Sequence, residues 1–137
     1  MTALSPAALP AAALEFLTAR HLATLTTLRP DGTPHVVPVG FTWDDEAKVA
    51  RVITGRDTRK ARNVAAGSRA ALCQVEGWRW ITLEGTGRVL EDPASVADAV
   101  QRYAVRYRAP RENPQRVVLE VRVDGVLGLL SRRKSSS

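Results

Sequence analysis

The sequence is poor in cysteine, histidine and aromatic residues: its 137 residues include one cysteine, two histidines and only three tryptophans, two tyrosines and two phenylalanines. The single cysteine, Cys73, excludes an internal disulfide, and too few ligands remain for a usual structural zinc site. So few aromatic rings offer a poor stacking surface for single-stranded nucleic acid. No apolar run approaches the roughly 18 residues of a membrane span. We therefore expect neither a nucleic-acid nor a membrane partner, and the cytoplasm is the expected location.

The net charge of +6 lies partly at the very end of the chain. Arg132, Arg133 and Lys134 stand in residues 132–137, which we expect to be a disordered basic tail. Without these three charges the net charge falls to +3. A mildly basic protein of this kind suits an anionic small ligand better than nucleic acid. The length and the 45% hydrophobic content predict one globular domain over residues 1–131.

Turn-bounded β-rich segments predict a mainly β protein with flanking helices. Six strands are expected over residues 21–28, 34–43, 49–54, 70–75, 80–90 and 117–126. Helices are expected after Ser5-Pro6, after Asp57 or Thr58, and after Asp92-Pro93, because these residues suit helix starts. Gly85 and Gly87 predict a bend or bulge in the fifth strand. Short connections favour antiparallel pairing, and six such strands indicate a small closed or split β-barrel.

The segment from Arg51 to Val64 joins a predicted strand to a predicted helix and contains five basic residues. Arg59 and Lys60 fall in the first turn of that helix, where free backbone N–H groups and the helix dipole favour an anion. Gly67 is suited to end the helix about two turns later. A phosphate-binding site is one interpretation, and a solvated basic helix is the other. This segment alone leaves both open.

Two further features suit a planar ligand. Pro38 removes one ladder donor, so its strand is expected to be an edge or to be bulged, with free backbone groups from Val36 to Gly40. Trp78 and Trp80 would share one face if their segment were extended, either stacking on a ring or closing the end of the barrel. The sequence shows no Ser/His/Asp set, paired carboxylates or Walker loop. An enzyme of this kind would take its chemistry from a cofactor.

Three motifs occur in an order that resembles a known family. They are T-x-R-x-D-G-x-P-H over residues 27–35, a threonine followed by K-x-R-N over residues 54–63, and G-W-R-W-I-x-L-E-G over residues 77–85. Their order and spacing resemble the flavin and deazaflavin oxidoreductases of the split β-barrel fold, relatives of pyridoxamine-phosphate oxidase. Within these, the chain is most similar to the actinobacterial F420-dependent biliverdin reductases. The resemblance extends over about residues 14–129.

This resemblance implies that the chain binds coenzyme F420, with FMN as the alternative. Lys60 matches the family's phosphate-binding lysine, whereas Thr58 stands where related members often carry arginine. The backbone of Val36 to Val39 matches the segment against the deazaflavin ring. The expected cofactor-binding residues are Val36, Val37, Pro38, Val39, Thr58, Arg59, Lys60, Arg62, Asn63, Trp78, Arg79 and Trp80. The tryptophans in such proteins often approach the cofactor from the second subunit of a homodimer whose sites lie at the interface.

The implied activity is hydride transfer from reduced F420 to a conjugated small-molecule acceptor, with biliverdin as the leading candidate and bilirubin as its product. The sequence nominates no catalytic residue and no proton donor. Two alternatives stay open: an FMN-binding oxidoreductase like pyridoxamine-phosphate oxidase, and a non-enzymatic protein that binds F420 or a flavin.

Overall fold

The structure is a computed structural model that describes residues 2–131. It confirms a mainly β protein with flanking helices. The strands are β1 (Thr2–Leu4), β2 (Ala23–Leu28), β3 (Pro34–Val39), β4 (Thr42–Asp44), β5 (Val49–Gly55), β6 (Arg69–Glu76), β7 (Arg79–Leu90) and β8 (Arg116–Leu129), and the helices are α1 (Ala11–Thr18), α2 (Arg59–Ala65) and α3 (Pro93–Arg106). Among the described residues, no helix is long and apolar enough to cross a membrane. The tail predicted at residues 132–137 lies outside the described residues.

The sheet closes into a split barrel because its two edge strands are neighbours in sequence. The strand order is β3-β2-β6-β7-β8-β5-β4, with β1 added to β8, and the pairs are antiparallel. Only Gly40 and Phe41 separate β3 from β4. So short a link spans at most roughly 11 Å, since consecutive Cα atoms lie about 3.8 Å apart. The sheet must therefore curl until its edges approach, which leaves a split where they fail to pair.

The prediction of six strands was wrong in two places. The expected strand over residues 34–43 divides into β3 and β4 at Gly40, which passes so close to α3 that an added Cβ would lie 2.9 Å from Tyr103 Cε2. The short strand β1 pairs with the end of β8, but the Ala- and Pro-rich start of the chain carries no strand pattern. The first α-helix also begins later than expected, after Pro10 rather than Ser5, since Pro6–Ala8 forms only a 3-10 turn.

Other local predictions are confirmed. Thr58 caps α2 and Asp92 caps α3, each accepting a hydrogen bond from a backbone N–H three residues later. Gly67 follows α2 with φ +100°, a backbone conformation that residues with a side chain rarely adopt. A register shift between Glu84 and Gly85 marks the expected bulge against β8. Pro38 lies on β3, which is an edge strand.

The core fills the barrel interior with alternate residues of the strands and one side of α1. Its largest fully buried hydrophobic side chains are Leu17, Leu25, Phe41, Leu72, Ile81, Leu83 and Leu119. Burying each such side chain stabilises the fold by about 1.5–3 kcal/mol. Few polar side chains are buried: Thr27, Thr42, Asn63, Gln74 and Glu120.

One arginine of α3 holds the link between the sheet edges in place. The Arg106 guanidinium donates to the carbonyl oxygens of Ala19 and Phe41 and to Gln74 Oε1, and it lies 4.6 Å from the centroid of the Phe41 ring. Burial lowers the pKa of the Arg106 guanidinium below its usual value. The side chain stays protonated in solution at neutral pH, and each charge-assisted bond stabilises by about 1.5–3 kcal/mol. Arg106 thus joins α3 to the end of α1, to the link and to β6.

Candidate functional site

A cavity of about 260 Å³ lies beside the split of the barrel, where β3 ends and α2 begins. Strand, helix and loop residues that are distant in sequence surround it. Its lining consists of Pro38, Val39, Gly40, Ile53, Thr54, Lys60, Tyr103, Pro110, Asn113 and Arg116. The sequence-predicted segment at Pro38 and the predicted phosphate-binding Lys60 therefore meet in one place.

Lys60 carries the positive charge most enclosed by this cavity. It is the second residue of α2 and is half-buried. Burial lowers the pKa of Lys60, and no acidic side chain within residues 2–131 forms an ion pair with it to oppose that effect. A half-buried cation without a counter-charge favours an anionic ligand. Since α2 has only seven residues, Lys60 and the cavity, rather than a helix dipole, are the basis of this assignment.

Thr58 fixes the start of α2. Its hydroxyl donates to the Gly55 carbonyl oxygen at 2.9 Å and accepts from the Ala61 N–H at 3.4 Å. The same oxygen lies 3.1 Å from Thr54 Oγ1, and Thr54 lines the cavity. Arg59 follows directly, half-buried at the first position of the helix. Thr58 therefore positions Lys60. Thr54 lines the cavity, whereas Arg59 is not among its lining residues, and a role for Arg59 in anion binding stays a prediction.

Two buried polar atoms beneath the first turn of α2 lack hydrogen-bond partners among the described residues: His35 Nδ1 and Asn63 Oδ1. Asn63 is 1% exposed and donates from Nδ2 to Thr27 Oγ1 at 3.0 Å, and Thr27 stands opposite His35 in the β2–β3 pair. Buried polar atoms are ordinarily hydrogen-bonded. Asn63 Oδ1 is an acceptor, so only a group that donates a hydrogen bond can complete it, and an unprotonated phosphate oxygen cannot. Asn63 is not among the residues that line the cavity.

Arg62 does not join Lys60. It is exposed and lines a second cavity of about 610 Å³ on another side of α2, together with Arg56 and Arg88. Arg56 Nε also forms an ion pair with Glu91 Oε1 at 2.7 Å. The basic residues of the segment were expected to act together, but the helix distributes Lys60 and Arg62 over two cavities. A role for Arg62 in cofactor binding stays a prediction.

The structure places Trp78, Arg79 and Trp80 outside the cavity lining of this chain. Trp78 lies in the turn between β6 and β7 and is 40% exposed, so strand alternation does not put it on one face with Trp80. Trp80 is half-buried on β7 opposite Val75. Arg79 donates to Glu76 Oε1 at 3.1 Å. A role for these three residues in a cofactor site would require a second copy of the chain, and it stays a prediction.

Tyr103, Asn113 and Arg116 line the cavity but were missed as candidates. Arg116 opens β8 and stands opposite Gly55 in the β5–β8 pair, which brings it beside α2. An added Cβ at Gly55 would lie 3.6 Å from Asn113 Nδ2, so the loop before β8 approaches the same turn. No local pattern predicts this approach, since it depends on the pairing of two strands far apart in sequence.

The fold and the site together define a split-barrel protein with a cationic cleft suited to a phosphorylated planar ligand. Residues 9–129 match the family described as pyridoxamine 5'-phosphate oxidase. The chain belongs to this family.

Similar proteins include deazaflavin-dependent enzymes. The chain is 55% identical over 116 residues to the F420H2-dependent biliverdin reductase of Mycobacterium tuberculosis (strain CDC 1551 / Oshkosh), covering 85% of each protein. It is 37% identical over 87 residues to the 5a,11a-dehydrotetracycline/5a,11a-dehydrooxytetracycline reductase of Streptomyces rimosus, covering 56% of this chain and 61% of that one. A solved structure named F420 reductase superposes with TM-score 0.69 at 28% identity, covering 82% of this chain and 94% of that one.

We predict that His35 has a depressed pKa. Burial lowers the pKa of His35 below 6.5, and the cations of Arg29, Lys60 and Arg59 lower it further. Because the unfolded chain then binds the proton more readily, this group costs no stability above pH of about 6.5 and destabilises the fold as the pH falls toward its folded-state value. The two histidines permit a direct NMR titration, in which His21→Gln assigns the signals. A His35 pKa at or above 6.5 would contradict the environment described.

Proposed function

We propose that this protein is an F420H2-dependent reductase that transfers a hydride to a conjugated acceptor, with biliverdin as the substrate. The observation that carries the proposal is the 55% identity to a biliverdin reductase of this type over 85% of both chains. The cleft built around Lys60 supports it, because F420 carries a phosphate beside a planar ring. A cytoplasmic location and a single domain ending at residue 131 stay predictions of the sequence.

The residues of the cleft fit such a cofactor. Lys60 and Arg59 would hold the phosphate, and the unpaired side of β3 from Val36 to Val39 would lie along the ring. β3 pairs only with β2 among the described strands, so backbone groups on its other side are available. FMN would use the same phosphate contacts and is the alternative cofactor.

When bound, reduced F420 supplies the hydride from C5 of its deazaflavin ring. The chain's own residues provide position and environment. Lys60 anchors the phosphate, and the short, buried link at Phe41 fixes the β3 edge relative to α3. Holding two reactants at near-attack distance in this way can supply several kcal/mol of the barrier reduction. No side chain of the described cleft is a clear acid for the accompanying proton, so we assign that proton to none of them.

A homodimer is the proposed assembly. On the outer face of β2, β3 and β6, Thr24 lies opposite Pro38 and Cys73, and Thr26 lies opposite Val36 and Ala71. These residues carry no charge. Val36 is 54% exposed, and the same face includes Leu28 (47%) and Val75 (56%). The same face of β6 also carries Arg69, whose charge is paired with Asp124. The remaining uncharged and partly apolar surface supports pairing with a second copy. It would also bring partner tryptophans near the split, as the family resemblance implies.

The test of function is reduction of biliverdin by enzymatically prepared F420H2. We expect loss of the reduced-cofactor signal and formation of bilirubin in equal amounts, and no reaction with NADPH. If the protein binds F420 but forms no bilirubin, the assignment of the cofactor stands and the assignment of biliverdin as substrate is wrong. Preferential binding of FMN would favour an FMN-dependent oxidoreductase instead.

Lys60→Ala is expected to raise the Kd for F420 about ten- to a hundredfold, because a charge-assisted bond to phosphate is lost. The melting temperature should change little, since Lys60 makes no ion pair among the described residues. Arg62→Ala is the matched comparison on the same helix, and its effect should be much smaller because Arg62 lines the other cavity. Fluorescence titration measures both constants. Equal losses would show that both cations contact the cofactor.

The homodimer is tested by placing a charge on its proposed face. Thr24→Arg should convert the protein from a dimer to a monomer in light scattering, because a cation would be buried without a partner. Arg122→Gln changes an exposed residue of β8 and should leave the mass of the dimer in light scattering unchanged. A wild-type protein that is monomeric while binding F420 fully would reject the shared site.

A further inference from the structure

Besides the Lys60 cleft and a cavity of about 140 Å³ at Arg88 and Arg122, three cavities contain two or more arginines, and they differ in whether those charges are already compensated. In the cavity beside α2, Arg56 pairs with Glu91 and Arg88 pairs with Glu120. In the cavity between α1 and α3, Arg102 Nε lies 3.0 Å from Asp98 Oδ2 and Arg106 is committed to the barrel link. Most of these arginines therefore already form ion pairs or hydrogen bonds that stabilise the fold.

The third cavity, of about 280 Å³, is lined by Arg20, His21, Leu22, Tyr103, Tyr107 and Arg108. Within residues 2–131, neither Arg20 nor Arg108 forms an ion pair. The carboxylate that does approach, Glu76, contacts His21 Nε2 at 2.6 Å and also Arg79. Two cations without counter-charges thus stand at the rim of this cavity.

The interior of the cavity is aromatic and apolar. The rings of Tyr103 and Tyr107 lie with their centroids 4.8 Å apart, and Leu22 beside them is 60% exposed. Tyr107 is fixed because its hydroxyl donates to the His21 carbonyl oxygen at 2.6 Å. Burial raises the pKa of the Tyr107 phenol, which therefore stays neutral. An apolar floor with a cationic rim suits an extended conjugated molecule that bears carboxylates.

Tyr103 lines both this cavity and the Lys60 cleft. The Gly40 backbone is close to its ring, since an added Cβ there would lie 2.9 Å from Tyr103 Cε2. A ligand in the third cavity would therefore be a direct neighbour of a cofactor in the cleft. None of the other arginine-containing cavities shares a residue with the cleft.

We propose that the cavity of Arg20, Arg108 and the two tyrosines is the acceptor subsite, in which the arginines bind the carboxylates of the acceptor. This inference rests on the proposed function, in which the acceptor is a linear tetrapyrrole with two propionate groups. Each arginine takes a carboxylate, and Leu22, Tyr103 and Tyr107 contact the conjugated body. The site selects carboxylated acceptors over neutral ones of the same shape.

The test compares biliverdin with its dimethyl ester, which has the same conjugated body without the charges. Binding is measured without cofactor by quenching of tryptophan emission. Arg20→Gln combined with Arg108→Gln should raise the Kd for biliverdin about tenfold or more and leave the Kd for the ester unchanged. Added salt should weaken binding of biliverdin to the wild type only, since exposed charges are screened. Arg122→Gln is the control for loss of a surface arginine outside the cavity, and the F420 affinity of the double variant should equal that of the wild type.

The inference is overturned if the double variant binds biliverdin as the wild type does, or if the acid and the ester lose affinity equally. It is also overturned if the wild type does not bind biliverdin. Unchanged KM for biliverdin in an active double variant rejects the subsite and keeps the proposed reaction. Arginine-dependent binding without any reduction keeps the carboxylate site and rejects the reaction.

Discussion

The two-residue link between β3 and β4 is the constraint on which the architecture depends. Gly40 and Phe41 connect opposite edges of one sheet, so the sheet has to curl around its core. Phe41 is 1% exposed and its carbonyl oxygen accepts from Arg106, which ties the link to α3. Gly40 is required because the tyrosine rings of α3 leave no room for a side chain. The barrel is therefore closed by α3 rather than by strand pairing.

The candidate site is a consequence of this incomplete closure. Where the edges do not pair, β3 presents free backbone groups, and the start of α2 and the loop before β8 reach the same gap. Lys60 is consequently half-buried without a carboxylate partner among the described residues. An anionic ligand would supply the counter-charge that the fold does not provide for this cation. The same α3 that holds the link also supplies Tyr103, which connects the cleft with the neighbouring cavity.

The basic residues of the protein fall into two groups. Some form ion pairs that hold the fold together, and others have no carboxylate partner among the described residues. Asp44 and Glu120 are each about nine-tenths buried in their side chains and are surrounded by Arg51, Arg88 and Arg102. Such partly buried pairs hold strands and α3 together, and breaking one would leave an uncompensated charge. The basic residues without carboxylate partners are the ones that remain for ligands. Net charge alone could not distinguish these two groups.

The sequence by itself determined the features that depend on neighbouring residues. The Thr58 cap, the helix end at Gly67 and the position of Lys60 in the first turn follow from local backbone chemistry, and all three are found in the structure. The strand segments and the class of fold follow from alternation and turn residues. The motif order was sufficient to indicate the family, because it spans most of the chain.

Tertiary structure alone decided which of these residues meet. Arg116 reaches the cleft through the pairing of β8 with β5, and Tyr103 reaches it through the packing of α3 on Gly40. Arg62 and Lys60, two residues apart, lie in different cavities because the direction of a side chain changes by about 100° per residue along a helix. Trp78 leaves the strand pattern because the hairpin turns at that residue. Sequence spacing records distance along the chain, whereas a site requires proximity and direction, which only the packed barrel defines.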